Sequence, residues 1–91
     1  MLTETNADDS LPRTIRDFII RSFAPGERPE SLPDDLDLIR SGILDSLAII
    51  HTASFLQDLA GREIEAHDLT PKNIGSIGAM TSFVRRRRAE L

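Results

Sequence analysis

An aspartate and a serine at the start of an apolar run, Asp45-Ser46, are the residues of this sequence best placed to do chemistry. Both side chains can accept hydrogen bonds from the free amide groups of a first helical turn, so a helix is predicted to begin at or beside Ser46. A helix N-terminus offers unpaired N–H groups and about half a positive charge, which favour a phosphate ester there. A serine that follows a loop also projects its hydroxyl outward, within reach of a modifying enzyme.

Other chemistries fit these residues less well. His51 lies on the same predicted helix as Ser46 but diverges from it, and no loop suited to an oxyanion hole is evident, so a hydrolytic nucleophile is not favoured. His51 and His67 lack a clustered third ligand, so no metal site is predicted. The basic run Arg85 to Arg88 is interpreted as the solvated end of a helix rather than a nucleic-acid surface.

The spacing of apolar residues predicts four helices and no strand, which indicates an all-α fold. Polar residues 1–10 show no such spacing and are predicted to form a mobile tail before a single domain over residues 11–91. The predicted helices run from Leu11 to a stop at Ala24-Pro25-Gly26, from Ser46 to Gly61, over residues 71–74, and onward from about Ser76.

The predicted connection between the first two helices, residues 24 to about 44, is long, acidic and rich in proline. Its apolar residues are expected to attach it to the helices, and a short helical turn is expected near Leu36 to Arg40. These apolar residues are Leu32, Leu36, Leu38 and Ile39.

The second helix is apolar over most of its length, and one face is expected to be buried. The residues predicted to form this face are Leu47, Ile50, Ala53, Ser54, Leu56 and Leu59, with Ile49 and Phe55 at its flanks.

The segment Gly42-Ile43-Leu44-Asp45-Ser46-Leu47 resembles the phosphopantetheine attachment motif of acyl carrier proteins, whose centre is Asp-Ser-Leu at the start of the second helix. The resemblance extends over roughly residues 11–88. It implies a four-helix bundle of acyl-carrier type, with a long loop between helices one and two and a short third helix. Further features in the matching order are Leu-Asp-Leu-Ile at 36–39, Ile64, and Leu-Thr-Pro-Lys-Asn-Ile at 69–74.

By this resemblance, Ser46 carries a covalent 4'-phosphopantetheine whose thiol holds an acyl or aminoacyl group as a thioester. Asp45 would cap the helix, contact the modifying enzyme, or both, and a packed Leu47 would fix the direction of Ser46. The chain would not be an enzyme. Its partners would be a phosphopantetheinyl transferase, an adenylating or acyl-loading enzyme, and a downstream acyltransferase or synthase.

Two differences from the fatty-acid carriers indicate which group of carrier proteins the chain resembles. The five-residue form Gly-Ile-Leu-Asp-Ser looks like that of discrete aminoacyl and D-alanyl carriers, whereas fatty-acid carriers usually have a shorter Gly-x-Asp-Ser. Fatty-acid carriers also tend to have acidic residues at the positions of Ala48 and His51. A less acidic docking surface formed by Ala48, Ile49 and His51 is therefore expected.

Composition sets the remaining expectations. With 91 residues, no cysteine and no apolar run of about 20 residues, the chain is expected to be a cytoplasmic monomer without a membrane span. Residues 1–45 hold 10 acids and 5 arginines, which disfavours binding to nucleic acid. A second interpretation stays open: a helical protein-interaction module with a carrier-like fold and no prosthetic group. Only the chemical state of Ser46 separates the two.

Overall fold

The fold is a small bundle of four α-helices. The computed structural model describes the backbone of residues 3–90 and the side chains of residues 10–90. No strand occurs between residues 3 and 90, so the predicted all-α class is confirmed. The helices are α1 (Thr3–Phe23), α2 (Ser46–Ala60), α3 (Pro71–Ile74) and α4 (Ile77–Ala89), with short 3₁₀ helices at Pro29–Ser31 and Ala66–Asp68.

Helix α1 begins at Thr3, whereas the sequence predicted a start at Leu11. A start at Leu11 would place Pro12 in the first turn, where proline is tolerated, but Pro12 lies inside the helix. The mobility predicted for residues 1–10 stays a prediction. Met1 and Leu2 of that segment, and Leu91 of the predicted domain, lie outside the described residues.

The core of the bundle lies around α4, which packs against each of the other three helices. Burial of a large aliphatic side chain stabilises a fold by about 1.5–3 kcal/mol, so this core is the main source of stability. The fully buried apolar side chains from the helices are Ile15 and Ile19 on α1, Leu56 on α2, Ile74 on α3, and Ile77, Met80 and Val84 on α4.

The loop between α1 and α2 is held at several points. Arg16 on α1 donates from Nε to the carbonyl of Leu32 at 2.8 Å and forms an ion pair with Asp34. The carbonyl of Asp34 accepts from the amide of Gly78 at 2.8 Å, which joins the loop to the start of α4. Leu32 and Leu38 are fully buried. The predicted attachment of the loop through its apolar residues is therefore confirmed.

The basic end of α4 was predicted to be solvated, but two of its arginines donate hydrogen bonds to the region where α2 ends. Arg88 donates to the carbonyl of Leu59 at 2.9 Å, and Arg87 donates to the carbonyl of Glu63 at 2.8 Å. These carbonyls lie at and just after the end of α2, where helical carbonyls lack intrahelical partners. The arginines therefore bring the C-terminal ends of α2 and α4 together.

Within residues 3–90, none of the helices is both long enough and apolar enough to span a lipid bilayer.

Candidate functional site

The chain reaches Ser46 through a tightly held turn. Gly42 has a φ angle of +87°, a left-handed conformation that glycine adopts without strain. The amide of Leu44 then donates to the carbonyl of Leu38 at 2.9 Å, and the amide of Leu38 donates to the carbonyl of Gly75 at 2.8 Å. Leu44 itself is buried. These contacts set the direction in which the chain enters α2.

Asp45 is the N-cap of α2. Its Oδ1 accepts a hydrogen bond from the amide of Ala48 at 2.9 Å, and its carbonyl accepts from the amide of Ile49 at 2.9 Å. The capping role that the sequence offered for Asp45 is therefore confirmed. The helix ends at Gly61, as predicted, and the φ angle of 69° at Gly61 forms a left-handed cap.

Replacement of Asp45 with alanine should lower the free energy of unfolding by about 1 kcal/mol, because the amide of Ala48 then loses its acceptor at the start of α2. Urea unfolding followed by circular dichroism measures this loss. Asp45→Asn is the matched control, since asparagine caps a helix about as well. If Asp45→Asn destabilises the protein as much as Asp45→Ala, the capping account of Asp45 is wrong.

Ser46 is the first residue of α2, and its side chain is exposed. In the part of the chain that the structure describes, its hydroxyl has no hydrogen-bond partner, and the amides of Ser46 and Leu47 have no acceptor. These amides are two of the unpaired donors that every helix start presents. An exposed hydroxyl next to such donors fits the attachment of a phosphodiester, which is anionic and accepts hydrogen bonds.

The two histidines, His51 and His67, lie beside residues other than Ser46. The ring of His51 lies 6.5 Å from the ring of Phe23, and His67 lies 3.6 Å from a carboxylate oxygen of Asp68. Neither histidine is hydrogen-bonded to Ser46. No group of three or more histidine, cysteine or carboxylate side chains suited to a metal ion occurs in the described part of the chain.

The buried face of α2 differs from the predicted one. Leu47 and Ile50, both expected in the core, expose 63% and 61% of their surface. Leu47 therefore does not fix the direction of Ser46 by packing, and Asp45 and Leu44 hold the helix start instead. The buried residues recur at every fourth position: Ala48, Thr52, Leu56 and Ala60.

The three predicted docking residues differ in their exposure, because the buried face of α2 is not the predicted one. Ala48 is only 4% exposed, so the prediction that it contributes to a docking surface is wrong. Ile49 is half-buried and packs against the core, and His51 is exposed. Sequence reasoning missed Ile50 as a surface residue. Apolar spacing could not have revealed it, because apolar residues occur at nearly every angular position of α2.

An open cleft of about 220 Å³ lies between the loop and α3 and contains none of the predicted site residues. Its lining includes Asp37, whose carboxylate already accepts hydrogen bonds from the amides of Ile39 and Arg40. The cleft is lined by Asp35, Asp37, Pro71, Gly75 and Ser76.

The Ser46 hydroxyl is therefore exposed at the start of a helix that Asp45 caps. Comparison of the chain with protein-family models, with curated proteins and with solved structures gives no match.

Proposed function

We propose that this chain is a carrier protein that holds an acyl or aminoacyl group as a thioester on a phosphopantetheine arm attached to Ser46. The observation that supports this most strongly is the exposed, unbonded hydroxyl of Ser46 at the first position of α2. The Asp45-Ser46-Leu47 motif and the long loop before it add the resemblance to acyl carrier proteins. The four-helix architecture is compatible with that resemblance.

The attachment step requires little of the chain itself. A phosphopantetheinyl transferase would form a bond between Ser46 Oγ and the phosphorus that bears the pantetheine arm of coenzyme A. The phosphoanhydride bond of coenzyme A breaks, 3',5'-ADP leaves, and the hydroxyl proton is lost. Mg²⁺ belongs to the transferase in this scheme. The arm's thiol supplies the thioester chemistry, and the residues around Ser46 keep the hydroxyl in solvent and the helix start capped.

The remaining partners follow from this role. An adenylating or other acyl-loading enzyme would charge the thiol, and an acyltransferase or synthase would take the group onward. The five-residue form of the Gly42–Ser46 segment favours an aminoacyl cargo over a fatty acyl cargo. We place the carrier in the cytoplasm and expect a monomer that binds no nucleic acid.

Coexpression with a broad-specificity phosphopantetheinyl transferase should increase the intact mass of the chain by one phosphopantetheine group. The physical reason is that the Ser46 hydroxyl is exposed and free to react. Intact-mass spectrometry measures the modified fraction, with a known carrier protein in the same cells as the positive control. A wild-type chain that stays unmodified beside a modified control would favour the second function, a helical interaction module. The exposed Leu47 and Ile50 are the feature that favours such a module.

A further inference from the structure

The last part of the loop before Asp45, residues 38–44, is a turn in which every backbone amide has a hydrogen-bond acceptor. The segment is neither helix nor strand, so regular backbone pairing does not supply these acceptors. Side-chain oxygens accept from three of the seven amides. The other four amides donate to backbone carbonyls and are those of Leu38, Ser41, Gly42 and Leu44.

The side chain of Asp37 organises the first half of this turn. Its Oδ1 accepts from the amides of Ile39 at 3.1 Å and Arg40 at 2.9 Å. Its backbone carbonyl accepts from the amide of Ser41 at 3.0 Å. An aspartate that accepts from amides two and three residues later takes the place of backbone acceptors in a turn. Asp37 is therefore bonded within its own loop.

The side chain of Ser41 organises the second half. Its Oγ donates to the carbonyl of Leu38 at 3.0 Å and accepts from the amide of Ile43 at 3.4 Å. The same carbonyl of Leu38 also accepts from the amide of Leu44 at 2.9 Å, which closes residues 38–44 into a ring. The ring therefore depends on hydrogen bonds from one side chain at each end of the turn.

The ring leads directly into the start of α2. Its last residue, Leu44, is buried and precedes the cap residue Asp45. Its first residue, Leu38, donates from its amide to the carbonyl of Gly75 at 2.8 Å, which fixes the ring to the rest of the bundle. A change in the shape of the ring therefore displaces the helix start that presents Ser46. Misplacement of a reacting group by about 1 Å can lower a rate by about 100-fold.

We propose that Asp37 and Ser41 are positioning residues for the modification of Ser46, because their side chains shape the turn that presents its hydroxyl. This inference rests on the proposed function of Ser46. Asp37 acts as a hydrogen-bond acceptor, so its charge is not required. Neither side chain is needed to bind the transferase. Loss of either one should therefore lower kcat of the transferase reaction and leave KM for the chain unchanged.

Steady-state kinetics of a broad-specificity phosphopantetheinyl transferase tests this role. Intact-mass spectrometry measures the initial rate of modification over a range of chain concentrations, with coenzyme A in excess. Asp37→Ala removes the acceptor, whereas Asp37→Asn keeps an acceptor oxygen and removes the charge. Asp35→Ala is the matched control, since the exposed carboxylate of Asp35 makes no hydrogen bond in the described part of the chain. Circular dichroism at the assay temperature verifies that each variant is folded.

A second pair of variants, Ser41→Ala and Ser41→Thr, tests the other half of the turn and serves if Asp37→Ala does not fold. Threonine keeps the hydroxyl that makes both bonds of Ser41. Each alanine variant of these two positions should lower kcat about tenfold with KM unchanged. Asp37→Asn, Ser41→Thr and Asp35→Ala should match wild type.

Three results would overturn the positioning role and leave the proposed function intact. The first is wild-type kinetics in both alanine variants of Asp37 and Ser41. The second is a raised KM with unchanged kcat, which would place these side chains in the contact with the transferase. The third is an Asp37→Asn variant as slow as Asp37→Ala, which would show that the charge is required. A wild-type chain that gains no mass, beside a known carrier that is modified, would overturn both proposals.

Discussion

Ser46→Ala should gain no phosphopantetheine when it is coexpressed with a transferase that modifies the wild-type chain completely. Alanine has no oxygen to form the ester, so the expected effect is a total loss rather than a slower rate. Intact-mass spectrometry measures it. The substitution should change the free energy of unfolding by less than about 0.5 kcal/mol, because the Ser46 side chain is exposed and makes no hydrogen bond in the described part of the chain.

Ser54→Ala is the matched control for this experiment. Ser54 is also an exposed serine of α2, but it lies in the middle of the helix, where the backbone amides are paired within the helix. The control should be modified as fully as wild type. A mass gain that persists in Ser46→Ala, or disappears in Ser54→Ala, would place the arm on another residue and remove the basis for the carrier proposal.

The stability expected of Ser46→Ala distinguishes the role of Ser46 from that of Asp45. Asp45 holds the helix start through its bond to the amide of Ala48, whereas Ser46 makes no comparable bond. A loss of folding in Asp45→Ala would also reduce modification, because the hydroxyl would leave its position at the helix start. Only at Ser46 should modification be lost while the fold is kept.

The bounds of α2, α3 and α4 were predictable because local chemistry determines them. Asp45 and Ser76 accept from the third amide of their helices, Gly61 adopts a left-handed cap, and Pro71 occupies a first turn. Each of these signals acts within a few residues and needs no tertiary contact. The start of α1, by contrast, was not predicted. Residues 3–10 lack the apolar spacing on which the prediction relied, and Pro12, a residue that helix interiors rarely hold, lies inside the helix.

The buried face of α2 was not predictable from apolar spacing. Leucine, isoleucine, alanine and phenylalanine occur at nearly every angular position of this helix, so hydrophobicity alone does not select one side. The choice depends on the helix packed against it. Small residues such as Ala48 and Ala60 lie on the buried face and permit close approach of neighbouring elements, whereas the larger Leu47 and Ile50 stay outside. The candidate attachment residue was thus accessible to sequence reasoning, whereas the exposure of Leu47 and Ile50 required the structure.

Leu38→Ala should lower the free energy of unfolding by about 2–5 kcal/mol, because Leu38 is fully buried although it lies in the loop. Its backbone also links the loop to Gly75 and to Leu44, so a cavity at this side chain loosens the turn that leads into Ser46. Urea unfolding with an unchanged m-value measures the loss. Leu47→Ala removes the same atoms from an exposed site and should cost less than about 0.5 kcal/mol. Equal losses in the two variants would show that the loop before Ser46 is not anchored by Leu38.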